Sequence, residues 1–136
     1  MTAALPPVPA PLYENGVVEG WRDGDTVYVW VDRGRGEYRR RKVRVRGAAT
    51  RELAEPGGPE TYVHVAGLVP TGTRVVLVDL EDDKYGGRDL GTVVVDLGAG
   101  PQDLAEVLVA DGWAMPWDGA GKQPRIPWPR GEVVLC

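Results

Sequence analysis

Apolar and polar positions alternate with a period of two over much of the first half of this 136-residue chain. Successive side chains of a strand face opposite ways, so this alternation predicts strands. The first is expected over residues 16–21. The second is Thr26-Val27-Tyr28-Val29-Trp30-Val31-Asp32. There Val27, Val29 and Val31 share one face while Tyr28 and Trp30 share the other, so both faces should be covered. Arg33-Gly34-Arg35-Gly36 reads as a turn by its glycines. A third strand is expected over 40–46, with Val43 and Val45 inward and Lys42, Arg44 and Arg46 together on the opposite face. Residues 73–80 and 91–97 supply the fourth and fifth strands.

Between the third and fourth strands the pattern loosens. Residues 52–59 form a loop, and 60–69 predict a short helix with Tyr62, Ala66 and Val69 on one stripe, against the grain of its β-branched residues. Residues 81–89 are a charged, glycine-containing loop. Residues 101–111 give the clearest helix. Pro101 suits a first turn, Leu104, Val107 and Leu108 form an apolar stripe, and Gly112 supplies the stop. Beyond Trp113 the prolines at 116, 124, 127 and 129 exclude another long helix. There are no internal repeats.

Three strands, a short helix, two strands and a helix is the element order of a five-stranded Greek-key barrel, the OB-fold. The expected class is therefore α+β, mainly β, with one or two short helices. Residues 1–15 read as an extended proline-rich arm, 16–118 as the barrel domain and 119–136 as a proline-rich tail.

Charge and composition narrow the partners. The net charge is −4, which opposes strong nonspecific binding to nucleic acid. Residues 22–46, however, hold nine Lys/Arg against four acids, a local excess of five on an otherwise acidic body. Such a ribbon could touch phosphates, or it could be a solvated strand face. No apolar run is long enough for a membrane-spanning helix. The start has neither the charged nor the uninterrupted apolar region of a secretory signal, so an intracellular location or a virion is expected. The single cysteine, Cys136, leaves no internal disulfide. Proline-rich ends are ordered only when something holds them. The expectation is capture by protein partners in an assembly. The Gly/Pro/Arg/Val-rich composition matches high-GC bacteria and their phages, which suggests a phage particle.

Three short motifs carry chemistry. Asp23-Gly24-Asp25-Thr26 is followed by Arg44-Val45-Arg46-Gly47-Ala48-Ala49-Thr50-Arg51-Glu52, and then by Asp83-Lys84-Tyr85-Gly86. In this order they resemble the active-site segments of the staphylococcal nuclease (thermonuclease-like) family. The resemblance covers about residues 16–118 and supports the OB-fold, without the family's third, C-terminal helix.

The resemblance implies a calcium-dependent phosphodiesterase. Asp25 would bind Ca2+ through its side chain and Thr50 through its carbonyl. Glu52 would handle the attacking water, and Arg44 and Arg88 would stabilise charge on the phosphate. Lys84 and Tyr85 would contact a nucleotide, with Arg46 beside them on the basic strand. Two positions depart from the family. Ala49 replaces the second metal-binding aspartate, and Arg88 arrives one residue late because Gly87 intervenes.

Each residue also has a plainer reading. Asp23-Gly24-Asp25 can be a turn, Arg44 a solvated strand residue, and Glu52 a surface acid. Trp113, Trp117 and Trp128 read as packing. His64, with no Cys or Asp at ligand spacing in the sequence, reads as an ordinary helix-surface or interface residue, and no glycine-rich phosphate loop or zinc cluster is present. Two functions follow: a non-catalytic OB-fold module that binds or builds an assembly, or a Ca2+-dependent nuclease. Ala49 favours the first, and Asp79, Asp82 or Asp83 would have to replace its oxygen for the second.

Overall fold

A computed structural model of the chain describes residues 12–82 and 88–118. The expectations for the proline-rich arm before Leu12, for the 83–86 loop with Lys84 and Tyr85, and for the tail with Trp128 lie outside the described residues.

The chain forms the expected mainly β barrel of OB-fold type, with two short helices. Strands β1 (Tyr13–Asp23), β2 (Thr26–Gly34) and β3 (Glu37–Val45) run as an antiparallel meander. A short β4 (Gly47–Ala49) precedes helix α1 (Gly58–Leu68). Next come β5 (Arg74–Asp82), β6 (Asp89–Asp96), β7 (Pro101–Asp103), helix α2 (Leu104–Ala110) and β8 (Met115–Trp117). The main sheet has the order β3-β2-β1-β5-β6-β7. It closes on itself because β3 also pairs with β6, in parallel, matching Val43 with Asp89 and Val45 with Gly91. This seam covers the edge of β3 over Val43–Val45 and that of β6 over Asp89–Gly91.

The period-two pattern fills the barrel. Val18, Val27, Val29, Val31, Val43 and Val45 are at most 2 % exposed, as are Leu77, Val93 and Val95 from the later strands. Branched side chains of similar size interdigitate well on a pleated surface. Trp21 closes one end, its indole N–H donating to Val69 O at 2.9 Å.

Several elements differ from the sequence pattern. β1 starts at Tyr13, three residues before the alternation suggests, because Tyr13 to Val17 pair with β5. α1 starts at Gly58. Gly57 holds a left-handed φ of 88° before it, and the Thr61 hydroxyl donates to Gly57 O at 2.7 Å. This start buries Thr61 and Val65 with Val69 at the C-cap, leaving Tyr62 and Ala66 only partly buried. α2 is shorter than expected. Asp103 is its N-cap, accepting from Ala105 N at 2.9 Å, so Pro101 belongs to β7 and pairs with Asp96. Leu104, Ala105 and Leu108 are its buried face, and Val107 is half-buried. β4 and β8 form a second, two-stranded sheet that periodicity did not reveal. No described helix is long and apolar enough to cross a membrane.

Candidate functional site at the turn between the first two strands

The β1–β2 turn places Asp23 and Asp25 on either side of Gly24. A side chain at Gly24 would lie 2.6 Å from the Thr50 hydroxyl and 2.8 Å from Thr61 Cγ2. Glycine here lets the loop after β4 and the face of α1 close over the turn. The result is a small polar cavity of about 100 Å3. Asp25, Arg44, Thr50, Glu52 and Arg88 all line it, together with Arg22, Asp23 and Arg51. Residues separated by more than sixty positions thus converge on one cavity.

Asp25 is the hub. Its backbone carbonyl accepts from Val45 N at 2.8 Å, tying the turn to the end of β3. Its carboxylate Oδ1 accepts from the Thr26 hydroxyl at 3.2 Å. Oδ2 accepts from Thr50 N at 3.1 Å and from Arg44 Nη2 at 3.3 Å. The carboxylate, which is only 10 % exposed, therefore spends its oxygens on the protein.

Arg44 is not on a solvated face. It is 2 % exposed, and the reading of residues 42, 44 and 46 as one basic surface fails there. Besides Asp25, its guanidinium donates to Ala48 O at 3.1 Å and lies 4.4 Å from the centre of the Trp117 ring. β8 brings the indole there, because Trp117 pairs with Gly47. The Trp117 packing reading thus acquires a specific partner, held by cation–π attraction.

Arg88 reaches the cavity despite the one-residue delay. Its Nη1 donates to the Thr26 hydroxyl at 3.1 Å. Glu52 lines the rim and is exposed, on a turn in which Glu52 N donates to Glu55 Oε1 at 2.8 Å. Gly58 lets the Glu52 carbonyl approach the start of α1, where a side chain would collide with it.

Arg46 is used elsewhere. β5 is irregular between Val78 and Glu81, with Asp79 at a left-handed φ of 52°. The Arg46 guanidinium fills that irregularity, donating to Val78 O, Asp79 O and Leu90 O and pairing with Glu81 at 2.8 Å. Asp79 is equally committed, since its Oδ1 accepts from Leu12 N at 2.9 Å. It does not line the cavity. Asp83 is outside the described residues.

The sequence reading gave no role to three lining residues, Arg22, Asp23 and Arg51, nor to Thr26, whose hydroxyl bonds Asp25. Asp23 was legible as the other end of the same turn. Burial and the neighbouring Asp25 carboxylate push the Asp23 carboxyl up to about 6. His64 stacks on Trp113, ring centres 4.2 Å apart, in a packing role.

These residues suit a calcium ion poorly. Calcium takes about six to eight oxygens, with carboxylates supplying the charge. Ala49 is fully buried and offers a methyl group. Asp23 accepts the Asp25 backbone N–H at 3.1 Å, and its raised pKa disfavours the charged form. Among the described residues no three His, Cys, Asp or Glu side chains come together as a metal site.

The basic ribbon lies on β3 beside this cavity. Arg40 pairs with Glu19 at 2.6 Å and covers the Tyr28 ring at 4.4 Å. The pairing pulls the Glu19 carboxyl down and the Arg40 guanidinium up. Arg41 pairs with Asp89. Arg39 and Lys42 line a groove with Tyr28 and Arg88. Neither the protein-family models nor the curated proteins compared with this chain match it.

Proposed function

We propose that this chain is a nuclease-like OB-fold module with an impaired catalytic site, used to bind or build a larger assembly, such as a phage particle. The observation that carries this reading is the engagement of Asp25. Its carboxylate is bonded by Arg44, Thr26 and Thr50 N–H, while Ala49 stands where a second metal carboxylate would be needed. An arginine paired to the remaining carboxylate holds the positive charge that a cation would otherwise bring.

The basic ribbon of β3 gives the module a route to nucleic acid. Arg39 and Lys42 flank Tyr28, and Trp30 is 40 % exposed on the adjacent strand. Cations beside an exposed ring such as Trp30 suit phosphates and bases together. Binding without cleavage is the expected behaviour.

The alternative is a Ca2+-dependent nuclease of the thermonuclease type. It is favoured by the convergence of Asp25, Arg44, Thr50, Glu52 and Arg88 around one cavity. Incubation of the protein with single-stranded DNA and Ca2+ separates the readings, with Glu52→Ala as control. Metal-dependent cleavage abolished by that substitution would overturn the non-catalytic reading. For the phage assignment, absence of the chain from purified particles would end it.

A further inference from the structure

A depression with an apolar floor lies away from the turn cavity, on the outer face of the barrel. It has a volume of about 440 Å3, within the ~300–1,000 Å3 range of small-molecule sites. Strand register explains its lining. Asp32 pairs with Tyr38, Asn15 with Val76, and Val76 with Val94, which sets one row across the sheet. Val17 pairs with both Trp30 and Arg74, and Asp96 with Pro101, which sets a second row beside it. Side chains of both rows face outward, since the intervening Gly16, Val75 and Val95 are buried.

The floor is flat and apolar: Val17, Val76 and Val94 are each half-buried. The rim is polar and mixed. Asp32 uses Oδ1 to accept Gly34 N, and Asp96 uses Oδ1 to accept Gly98 N and Gly100 N. Among the described residues, the hydrogen bonds to these two carboxylates fall on Oδ1 alone. Arg74 adds donors only, while the Tyr38 hydroxyl and the Asn15 amide can do both. Tyr38 is 55 % exposed and Trp30 40 %. Tyr38 lines the depression itself, while Trp30 lies in the second row outside it.

We infer that this groove binds a neutral saccharide. A sugar hydroxyl donates and accepts at once, so it suits a rim that alternates carboxylate acceptors with guanidinium and phenol donors. Hydrogen bonds to charged partners are the stronger ones. The C–H face of a pyranose ring is apolar and covers a valine floor or an aromatic ring. Charge decides against the polyanions suited to the β3 ribbon. The groove carries two carboxylates and one guanidinium, so a phosphate there meets net repulsion. The inference stands apart from the catalytic state of the turn cavity, which shares no residue with the groove.

The test uses the full chain with chitohexaose, cellohexaose and maltohexaose as probes. Titration is followed by calorimetry, and amide chemical shifts locate the contact. The expected result is binding of one probe, with shifts confined to the two rows. Tyr38→Ala, Arg74→Ala and Asp96→Asn should each weaken it about ten-fold or more, the loss of one good hydrogen bond or stacking contact. Asp96→Asn keeps the oxygen that serves Gly98 and Gly100, so the turn stays intact. Binding of none of the three sugars would overturn the inference. So would shifts centred on Trp117, or tighter binding of an oligodeoxynucleotide to the same rows.

Discussion

Arg44 reaches Asp25 across the closed end of the turn, Nη2 to Oδ2 at 3.3 Å, with the two side chains 3 % and 10 % exposed. The sequence motifs suggest a metal ligand at Asp25 and a phosphate-stabilising arginine at Arg44, but the contact they make also explains the fold. It ties β3 to the β1–β2 turn, and Trp117 covers the guanidinium from the other side. Removing one partner of such a pair leaves a buried charge without compensation. Arg44→Ala is expected to lower the unfolding free energy by about 3–5 kcal/mol, measured by urea titration. Combining it with Asp25→Asn should cost clearly less than the sum of the two single changes. Strict additivity would mean that the pair is not coupled.

Placing a carboxylate at residue 49 tests the account of the cation. Ala49 is fully buried beside a filled network, so Ala49→Asp is expected to destabilise the protein in the absence of metal. Millimolar calcium should then recover part of the loss by binding only the folded form. The unsubstituted protein should show no calcium-dependent rise in Tm. An equal rise in both proteins would show that oxygens other than residue 49 complete the shell.

The raised pKa of Asp23 sets a pH dependence with a definite sign. Its carboxyl is pushed from 3.8 to about 6 by burial and by Asp25. Between those values the folded protein holds a proton that the unfolded chain has released. This contribution to stability is therefore greatest below about pH 4, falls as pH rises through 6, and stays constant above. Asp23→Asn keeps an acceptor for Asp25 N and should remove this slope, with higher stability at neutral pH. Denaturant titrations from pH 4 to 7 on both proteins check it. An unchanged slope would place its origin elsewhere.

If the β3 ribbon holds single-stranded nucleic acid, binding must weaken with salt. Each phosphate contact removed should lower the slope of log K against log salt by about 0.7. Arg39→Ala and Lys42→Ala are the informative changes, because both line the ribbon groove. Arg46→Ala serves as contrast. Its guanidinium is spent on β5 and β6, so its loss should reduce stability rather than the slope.

The barrel was legible because valine alternation in β2 and β3 leaves little choice of face. The element order then selected the topology. The β4–β8 ladder was not legible: three residues are too few for a period, and Pro116 masks the second strand. The start of α1 was hidden because its buried positions include Gly58 and Thr61, which carry little hydropathy signal. Local motifs brought Asp25, Arg44, Glu52 and Arg88 into view. They could not show that Arg44 is buried or that Arg46 plugs an irregularity in β5, because both depend on strands distant in sequence. Asp23 was in plain sight, but its significance arises from a lid formed by Thr50 and Thr61.

The parallel seam between β3 and β6 has a consequence for how the chain is made. Val43 to Val45 leave the ribosome well before Asp89 to Gly91, and no earlier segment can take their place. The nascent meander must therefore wait with one flank unzipped while residues 46–88 are made. The arginines and lysine at 39–42 lie along that flank, and their mutual repulsion would discourage two waiting chains from joining there.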